Sequence, residues 1–285
     1  MSTSPVIING APRVPQGYLF DLDGVLWRGD QLIPGVRETL AELRRRGKRL
    51  LFVSNTSSRS RRQCLDQFGR MGLDVASEEL FIASEATARY IAARRPGATV
   101  YVIGSRQLLE ELRQAGLNAL PADTRTPGPA DYVVVGKDNH VDYTKLTCAL
   151  RAVRAGAQLV AVNMDMTVPA NDGLEPGAGA IAAAVAAMVG RPPDVMVGKP
   201  SPLLLQQALD AFGLHPSQCV MVGDTLEADI AAGKRLGMKT ALVLTGNTSP
   251  SDLENGAALP PALVPDVVLE SLTELLRYER EGYPA

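Results

Sequence analysis

The stretch that most constrains the fold covers residues 18–27 and reads Tyr-Leu-Phe-Asp-Leu-Asp-Gly-Val-Leu-Trp. Its apolar start predicts a buried strand, and Gly24 predicts a turn just past the carboxyl end of that strand. Because side chains alternate along an extended chain, Asp21 and Asp23 would point the same way from the edge where open parallel sheets bind ligands. Two adjacent carboxylates repel each other unless a cation, a proton or different chemical roles separate them. A strand that ends in a capped turn would explain the same residues without any function.

Apolar runs of strand length alternate with helix-length segments along most of the chain. The segment from residue 36 carries Val36, Leu40 and Leu43 on one face and is followed by Gly47, as is typical of a helix and its end. The other predicted strands cover residues 48–53, 99–103, 131–135, 158–162, 195–197, 219–222, 239–244 and 267–268. Strands that alternate with helices predict an α/β fold with a doubly wound, Rossmann-like parallel sheet.

A second set of elements begins after the helix predicted at 84–95. Helices predicted at 106–115, at 143–155 and from residue 178 alternate with strands there, and residues 163–173 are predicted to form a loop. After Pro192-Pro193 the chain returns to short strands that end in polar loops. We therefore predict a discontinuous core domain formed by 1–86 and 193–285, with an α/β domain inserted at 87–192.

Composition excludes several classes of function. The net charge of −2 and the aromatic content of 5% provide neither an attractive field for nucleic acid nor a platform for stacked bases. With two histidines, a histidine metal centre or a Ser-His-Asp triad is not expected. The most apolar stretch, 178–189, is far shorter than the roughly 20 residues that span a bilayer. The first residues lack the basic and apolar regions of a signal peptide.

The cysteines indicate the compartment. Cys64, Cys148 and Cys219 are odd in number and far apart in the sequence. This pattern predicts reduced thiols, and neither a disulfide framework nor a zinc site. We therefore expect a soluble, cytoplasmic protein that has no nucleic-acid or membrane partner.

Polar residues follow the strand predicted at 48–53. Ser54, Asn55 and Thr56 lie between this strand and a helix, where hydroxyl, amide and backbone N–H groups can hold an anion. The same residue types are also the commonest N-caps, so an ordinary helix start is the favoured explanation when these residues are taken alone. The basic run at 59–62 is typical of a solvated helix face, and drawing an anionic substrate is the second interpretation.

Charged residues follow two later strands. Lys199 comes after the run at 195–197, and Asp224 and Asp229 come after the run at 219–222. If all these strands belong to one parallel sheet, their polar ends meet at one edge, together with Asp21. Carboxylates from two strands make an oxygen-only site suited to Mg²⁺, and a lysine beside them would complement a phosphate group. The sequence therefore predicts a magnesium and phosphate site at that edge.

The motifs at 21–26, 54–56, 198–200 and 223–229 resemble, in order, the four motifs of the haloacid dehalogenase (HAD) superfamily of phosphohydrolases. The insertion resembles a type C2 cap. Residues 163–179 are similar to the NagD-like (HAD-IIA) branch, which includes p-nitrophenylphosphatases, phosphoglycolate phosphatases and pyridoxal phosphatases. That branch often has Asn-Pro-Asp or Asn-Arg-Asp where this chain has Asn163-Met164-Asp165. The departure leaves the choice of substrate open.

The resemblance implies a catalytic role for each aspartate. Asp21 would attack phosphorus and form an aspartyl-phosphate, while Asp23 would act as general acid and then as general base. Mg²⁺ would be bound by the carboxylates of Asp21 and Asp224 and by the backbone carbonyl of Asp23. Asp229 would orient the waters on the metal or the side chain of Lys199.

The resemblance also implies which groups bind the substrate. Ser54 and the N–H groups near Asn55 and Thr56 would hold the phosphoryl oxygens, and Lys199 would supply a fixed positive charge. The inserted domain would close over the site as a lid. In the loop that follows residue 162, Asn163 and Asp165 are candidates for substrate contact.

The predicted function is a Mg²⁺-dependent phosphomonoesterase that hydrolyses small phosphorylated metabolites through an aspartyl-phosphate. The sequence does not determine the oligomeric state, although an exposed apolar face of the inserted domain could support a homodimer. Two alternatives keep the same fold: a phosphotransferase or mutase that uses the same intermediate, and a catalytically silent HAD-fold binding protein. A receiver-like signalling domain also clusters Asp, Thr and Lys at strand ends, but such domains are much shorter and have no insertion.

Overall fold

The computed structural model describes residues 14–170, 173–254, 259–281 and 283. Contacts divide the chain into two units: the first contains Met1–Phe52 and Leu205–Ala285, and the second contains Val53–Leu204. The domain boundaries expected from the sequence, near residues 86 and 193, stay a prediction. The N-terminal residues considered as a leader, and Asn171-Asp172 in the expected loop, lie outside the described residues.

Strands and helices alternate along the described chain. The strands are β1 Gly17–Phe20, β2 Trp27–Arg28, β3 Gln31–Leu32, β4 Arg49–Ser54, β5 Leu80–Ile82, β6 Thr99–Ile103, β7 Asn118–Pro121, β8 Tyr132–Val135, β9 Gln158–Ala161, β10 Thr167–Ala170, β11 Gly173–Pro176, β12 Val195–Met196, β13 Cys219–Gly223, β14 Lys239–Val243 and β15 Val267–Leu269. The helices are α1 Val36–Arg45, α2 Arg61–Arg70, α3 Ala83–Arg94, α4 Arg106–Gln114, α5 Tyr143–Arg154, α6 Ala178–Val189, α7 Leu203–Phe212, α8 Ala231–Arg235, α9 Pro250–Glu254 and α10 Leu275–Glu281. Short 3₁₀ turns cover Ser77–Glu79, Pro216–Gln218, Pro261–Leu263 and Leu272–Glu274.

The first unit is built on a parallel sheet with the strand order β15–β14–β13–β1–β4. Strand β1 lies between two neighbours and is buried along its whole length, because its Gly-Tyr-Leu-Phe sequence is almost entirely apolar. Phe20 at the end of β1 lies opposite Val222 of β13. The residues that follow these two strands, Asp21 and Asp224, therefore leave the sheet at the same edge.

The second unit contains a five-stranded parallel sheet with the order β12–β9–β8–β6–β7. Its apolar core joins the sheet to α5 and α6 through buried residues that include Val133, Leu159 and Val185. An antiparallel hairpin, β10–β11, follows β9. Strand β5 is hydrogen-bonded to β4, the strand that the division between the units cuts after Phe52.

The expected α/β class and its parallel strands are confirmed, and the strands and helices predicted with both bounds agree with the observed ones to within one residue at each end. Several short elements were missed, among them the β2–β3 pair, strand β5, strand β7 and the β10–β11 hairpin. Strand β7 has the sequence Asn-Ala-Leu-Pro, which shows no strand pattern. The β10–β11 hairpin lies largely in the segment 163–173, which was expected to be a loop. Its Gly and Pro residues are typical of turns, so the sequence did not indicate strands there.

One expected pairing is corrected. The run at 195–197 was expected to belong to the same sheet as β1, but β12 pairs with β9 of the second sheet, with Val195 opposite Val160. A two-residue strand carries too little pattern to indicate its partner. Lys199, which follows β12, therefore comes after a strand of the second sheet.

Two observations bear on the expected environment of the protein. Among the described residues, no helix combines the length and the apolar character that crossing a bilayer would require. Cys64, Cys148 and Cys219 are all described, and each is a buried thiol outside any disulfide.

Candidate active site

Three aspartates converge at the carboxyl edge of the first sheet. The backbone N–H of Asp21 donates to the carbonyl of Val222 at 2.9 Å, which extends the pairing of β1 and β13 by one residue. One carboxylate oxygen from each of Asp21, Asp224 and Asp229 lies within 4.8 Å of the other two. Asp224 and Asp229 are buried, and Asp21 is half-buried. The structure therefore brings together the strand-end acids that the sequence predicted would meet.

The carboxylate of Asp224 is held in one orientation. Its Oδ2 accepts the backbone N–H of Asn247 at 2.7 Å, and its Oδ1 accepts the hydroxyl of Thr225 at 3.3 Å. A Cβ at Gly246 would lie 1.9 Å from this Oδ2, and a Cβ at Gly24 would lie 2.4 Å from it. Gly24 also has a φ of +81°, which favours glycine. The two glycines leave just enough room for the carboxylate.

Asp229 supports the backbone that carries Asp224. It lies in a single π-helical turn, Leu226–Ile230, a distortion that is common at functional sites. Its Oδ2 accepts the backbone N–H groups of Asp224 and Thr225, each at 3.1 Å. A Cβ at Gly223 would lie 2.1 Å from the Cβ of Asp229, so this close contact needs glycine. The geometry suits a positioning role for Asp229.

Asp23 differs from these three aspartates in its exposure to solvent, because its side chain is exposed. Its Oδ1 accepts the indole N–H of buried Trp27 at 2.9 Å, and the N–H of Gly24 donates to the carbonyl of Trp27 at 2.8 Å. The indole therefore orients a carboxylate that stays open to solvent. Trp27 was missed from the sequence as a site residue, although an indole donor four residues after an aspartate was a usable signal.

The cluster formed by Asp21, Asp224 and Asp229 is suited to a divalent cation. Three carboxylates this close repel one another, and burial strengthens the repulsion because little water screens it. Oxygen ligands are those that Mg²⁺ and Ca²⁺ prefer. The residues present thus fit such an ion. Gly246 and Asn247, which shape the pocket for Asp224, are not among the site residues predicted from the sequence.

Ser54, Asn55 and Thr56 are not the N-cap of the helix that follows them. Helix α2 begins at Arg61, and its N-cap is Ser60, whose hydroxyl accepts the backbone N–H of Gln63 at 3.3 Å. The side chain of Gln63 accepts the N–H of Ser60 in return, which completes a capping box. The interpretation of Ser54, Asn55 and Thr56 as an ordinary helix cap is therefore wrong.

The hydroxyls of this loop bind its own backbone. Ser54 is buried at the end of β4, and its Oγ accepts the N–H of Thr56 at 3.2 Å. The Oγ1 of Thr56 accepts the N–H of Ser58 at 3.4 Å and that of Arg59 at 3.2 Å. These bonds give the loop a fixed shape before any ligand binds.

The basic run at 59–62 is partly used by internal contacts. Arg59 donates to the side-chain carbonyl of Gln67 at 2.6 Å, and Arg61 forms an ion pair with Glu85. Arg62 is exposed. The contacts of the first two arginines favour the structural interpretation of the run over the attraction of a substrate.

Four predicted site residues meet in the second unit. The side-chain amide of Asn55 donates to the carbonyl of Lys199 at 3.0 Å and accepts the N–H of Lys199 at 2.8 Å. The same amide donates to the carboxylate of Asp165 at 3.2 Å. Asn163 donates to the carbonyl of Asn55 at 2.6 Å and accepts the N–H of Asp165 at 3.1 Å. Lys199 itself is buried, with 2% of its surface exposed.

Comparison with known proteins identifies the family. A model described as haloacid dehalogenase-like hydrolase matches residues 18–118, and a HAD-hydrolase-like model matches residues 196–275. Sugar-phosphatase AraL of Bacillus subtilis is 34% identical over 95% of this chain and 96% of its own length. The solved p-nitrophenyl phosphatase from Archaeoglobus fulgidus is 41% identical, with a TM-score of 0.85 over 93% of this chain and 99% of its own. A glycerol phosphate phosphatase from Mycobacterium tuberculosis in complex with magnesium is 30% identical, with a TM-score of 0.81 over 93% of this chain and 76% of its own.

These matches agree with the motifs and with the fold. The first family model spans the motifs at 21–26 and 54–56, and the second spans those at 198–200 and 223–229. The solved relatives share the expected doubly wound parallel core with an α/β cap. The chain belongs to the haloacid dehalogenase-like hydrolases, and it is a phosphatase of that family.

Proposed function

We propose that the chain is a Mg²⁺-dependent phosphomonoesterase that hydrolyses small phosphorylated metabolites through an aspartyl-phosphate on Asp21. The observation that carries the proposal is the cluster of Asp21, Asp224 and Asp229, in which a half-buried carboxylate lies beside two buried ones. Relatives named as a sugar-phosphatase and a glycerol phosphate phosphatase support small phosphate esters as the substrate class.

The reaction proceeds in two displacements at phosphorus. A carboxylate oxygen of Asp21 forms a bond to phosphorus as the bond to the ester oxygen breaks, and Asp23 gives its proton to the departing alcohol. A water molecule then gives a proton to Asp23 and attacks the same phosphorus, while the bond between phosphorus and the Asp21 oxygen breaks. This second step releases inorganic phosphate and restores both aspartates. The exposed position of Asp23 and its bond from Trp27 support its role in both proton transfers.

The carboxylates of Asp21 and Asp224, with the backbone carbonyl of Asp23, would hold the Mg²⁺ ion. When bound, the ion offsets the repulsion between the carboxylates and the negative charge of the phosphoryl group. Asp229 keeps the loop of Asp224 in place through its two backbone hydrogen bonds. The oxygen-only composition of the cluster supports this assignment.

The phosphoryl oxygens would be bound by Ser54, by the N–H groups near Asn55 and Thr56, and by the ammonium group of Lys199. The match to the family motifs and the internally bonded loop support these roles. The inserted domain predicted at 87–192 would exclude water as a lid. Substrate contact by Asn163 and Asp165 stays a prediction from the sequence.

A cytoplasmic location belongs to the same proposal. The three buried cysteines, Cys64, Cys148 and Cys219, lie outside any disulfide, which supports it because disulfides are rare in cytosolic proteins. The homodimer stays a prediction.

Release of phosphate from p-nitrophenyl phosphate in the presence of Mg²⁺ tests the proposal. We expect Asp21→Asn to lower kcat by at least about 10³-fold, because no other group can replace the nucleophile. Asp66→Asn, at an exposed position on α2, is the matched control and should keep full activity. Hydrolysis that survives Asp21→Asn or thorough chelation would overturn the mechanism. Added glycerol that collects phosphate in place of water would instead indicate a phosphotransferase.

A further inference from the structure

The loop after β4 is hydrogen-bonded to the ends of two strands of the second sheet through Ser57. The hydroxyl of Ser105, which follows β6, donates to the carbonyl of Ser57 at 3.0 Å. The backbone N–H of Lys137, which follows β8, donates to the hydroxyl of Ser57 at 2.9 Å. Ser57 itself is buried. One residue of the loop is therefore bound at two neighbouring strand ends.

Asn55 makes the corresponding contacts at the next two strands. Its carbonyl accepts the side-chain N–H of Asn163, which follows β9, at 2.6 Å. Its side chain brackets the backbone of Lys199, which follows β12, with one hydrogen bond to the N–H and one to the carbonyl. The loop is thus bound at four consecutive strands of the sheet, β6, β8, β9 and β12.

Two glycines allow this close approach. A Cβ at Gly198 would lie 2.7 Å from the Oδ1 of Asn55 and 2.7 Å from the carbonyl of Val162. A Cβ at Gly136 would lie 3.1 Å from the Cβ of Ser57. Any larger side chain at Gly198 would push the Asn55 amide away from Lys199. The contact is therefore specific for these residues.

The amide of Asn55 is fully engaged inside the protein. One N–H of its side chain is directed at the carbonyl of Lys199, and the other at the carboxylate of Asp165. Its Oδ1 accepts the N–H of Lys199. The N–H of Asp165 is itself bonded to Asn163, so the carboxylate is presented from a fixed turn. An amide with both N–H groups donated in this way is poorly placed to bind a substrate as well.

We propose that Asn55 is a positioning residue, whose side-chain amide clamps the backbone of Lys199 while the carboxylate of Asp165 orients that amide. The inference rests on the proposed function, in which the ammonium group of Lys199 binds the phosphoryl group. It changes the roles expected for Asn55 and Asp165, which act through Lys199 and do not select among leaving groups. A displacement of about 1 Å at such a cation can cost roughly 10²-fold in rate.

Four variants test the clamp. Asn55→Ala removes it, Asp165→Ala removes the carboxylate that orients the amide, and Asp165→Asn keeps a carbonyl oxygen that can accept the N–H of Asn55. Ser58→Ala is the matched control in the same loop, at a side chain outside these contacts. Two quantities are measured for each: hydrogen exchange of the Lys199 amide by NMR, and kcat and KM for p-nitrophenyl phosphate, glycerol phosphate and a hexose phosphate with Mg²⁺.

We expect exchange of the Lys199 amide to accelerate by roughly tenfold or more in Asn55→Ala, and to be unchanged in Ser58→Ala. In Asn55→Ala and Asp165→Ala, kcat should fall by about 10²-fold for all three esters, with little change in KM. The order of the esters by kcat/KM should stay that of the wild type. Asp165→Asn should recover most of the activity lost in Asp165→Ala.

Unchanged exchange in Asn55→Ala would overturn the clamp. A changed order of the esters in either alanine variant would also overturn it, because that result indicates direct contact with the leaving group. If Asn55→Ala does not fold, the comparison of Asp165→Ala with Asp165→Asn carries the same test. A wild-type protein that hydrolyses none of the esters would refute the proposed function, and the exchange measurement would still decide the clamp.

Discussion

At the scale of single residues, Gly246 has the sharpest steric requirement near the acidic cluster. A methyl group there would lie 1.9 Å from the Oδ2 of Asp224 and 2.5 Å from its Cβ, so a rotation of the carboxylate cannot relieve the clash. We expect Gly246→Ala to lower kcat/KM by about 10²-fold or more, because the displaced carboxylate no longer holds the metal. Steady-state kinetics at several Mg²⁺ concentrations measure kcat/KM and its dependence on the concentration of the metal ion.

Gly69→Ala is the matched control for that substitution. Gly69 lies in α2, and a Cβ there would meet nothing within 4 Å. Alanine also favours a helix over glycine, so activity should be kept and the melting temperature should be equal or higher. Full activity in Gly246→Ala would contradict the role assigned to the Asp224 carboxylate.

Glu111 gives the stability a pH dependence. Burial raises the pKa of this carboxyl from 4.5 to about 7. Because the pKa is higher in the folded protein than in the unfolded chain, the folded state binds the proton more tightly. Stability from this group is present below about pH 4.5 and is lost as the pH rises to about 7.

Between pH 5 and pH 8 the free energy of unfolding should therefore fall by roughly 2 kcal/mol less in Glu111→Gln than in the wild type. Denaturant unfolding at the two pH values measures the difference. Glu110→Gln, at the neighbouring residue that pairs with Arg106, should leave the pH dependence of the wild type. An identical pH dependence in Glu111→Gln would show that the carboxyl titrates normally.

At the scale of elements, a buried polar network joins helix α10 to the sheet. The carboxylate of Glu279 accepts the hydroxyl of Tyr18 in β1 and forms an ion pair with Lys48, at 2.5 Å, just before β4. Only 3% of the Glu279 side chain and 11% of the Lys48 side chain are exposed. Removing one partner of such a pair leaves a buried charge without compensation.

Lys48→Met should therefore lower the free energy of unfolding by about 3 kcal/mol or more. Arg45→Met is the control, because Arg45 pairs with Glu42 at the surface, where such pairs contribute little. Chemical denaturation of both variants measures the contrast. Equal stability of the two variants would contradict the anchoring role of Glu279.

At the scale of the whole molecule, the sequence was most informative where general rules of parallel sheets apply. The apolar runs indicated β1 and β13, and the strands of a parallel sheet end at one edge, so the meeting of Asp21 and Asp224 could be predicted from the sequence. The order of the motifs then indicated the family. These features depend on local pattern and on chain direction, both of which can be read from one sequence.

Other features depend on contacts that no local pattern encodes. Strand β12, which precedes Lys199, pairs with β9 of the second sheet. A strand of two residues carries too little pattern to show which sheet it joins. The bond from Trp27 to Asp23 and the contact of Gly246 with Asp224 arise from how turns meet in space. The amide of Asn55 meets the backbone of Lys199 across 144 residues of sequence.

If Asp21 becomes phosphorylated during turnover, its acyl phosphate can be trapped by chemical reduction. The protein is quenched during turnover of p-nitrophenyl phosphate with Mg²⁺, reduced with borohydride and digested, and the peptide containing residues 18–27 is analysed by mass spectrometry. An acyl phosphate is reduced to an alcohol, so we expect homoserine at position 21 and an unchanged Asp23. Rapid turnover with an unmodified Asp21, or with the reduced residue at another position, would contradict the aspartyl-phosphate mechanism.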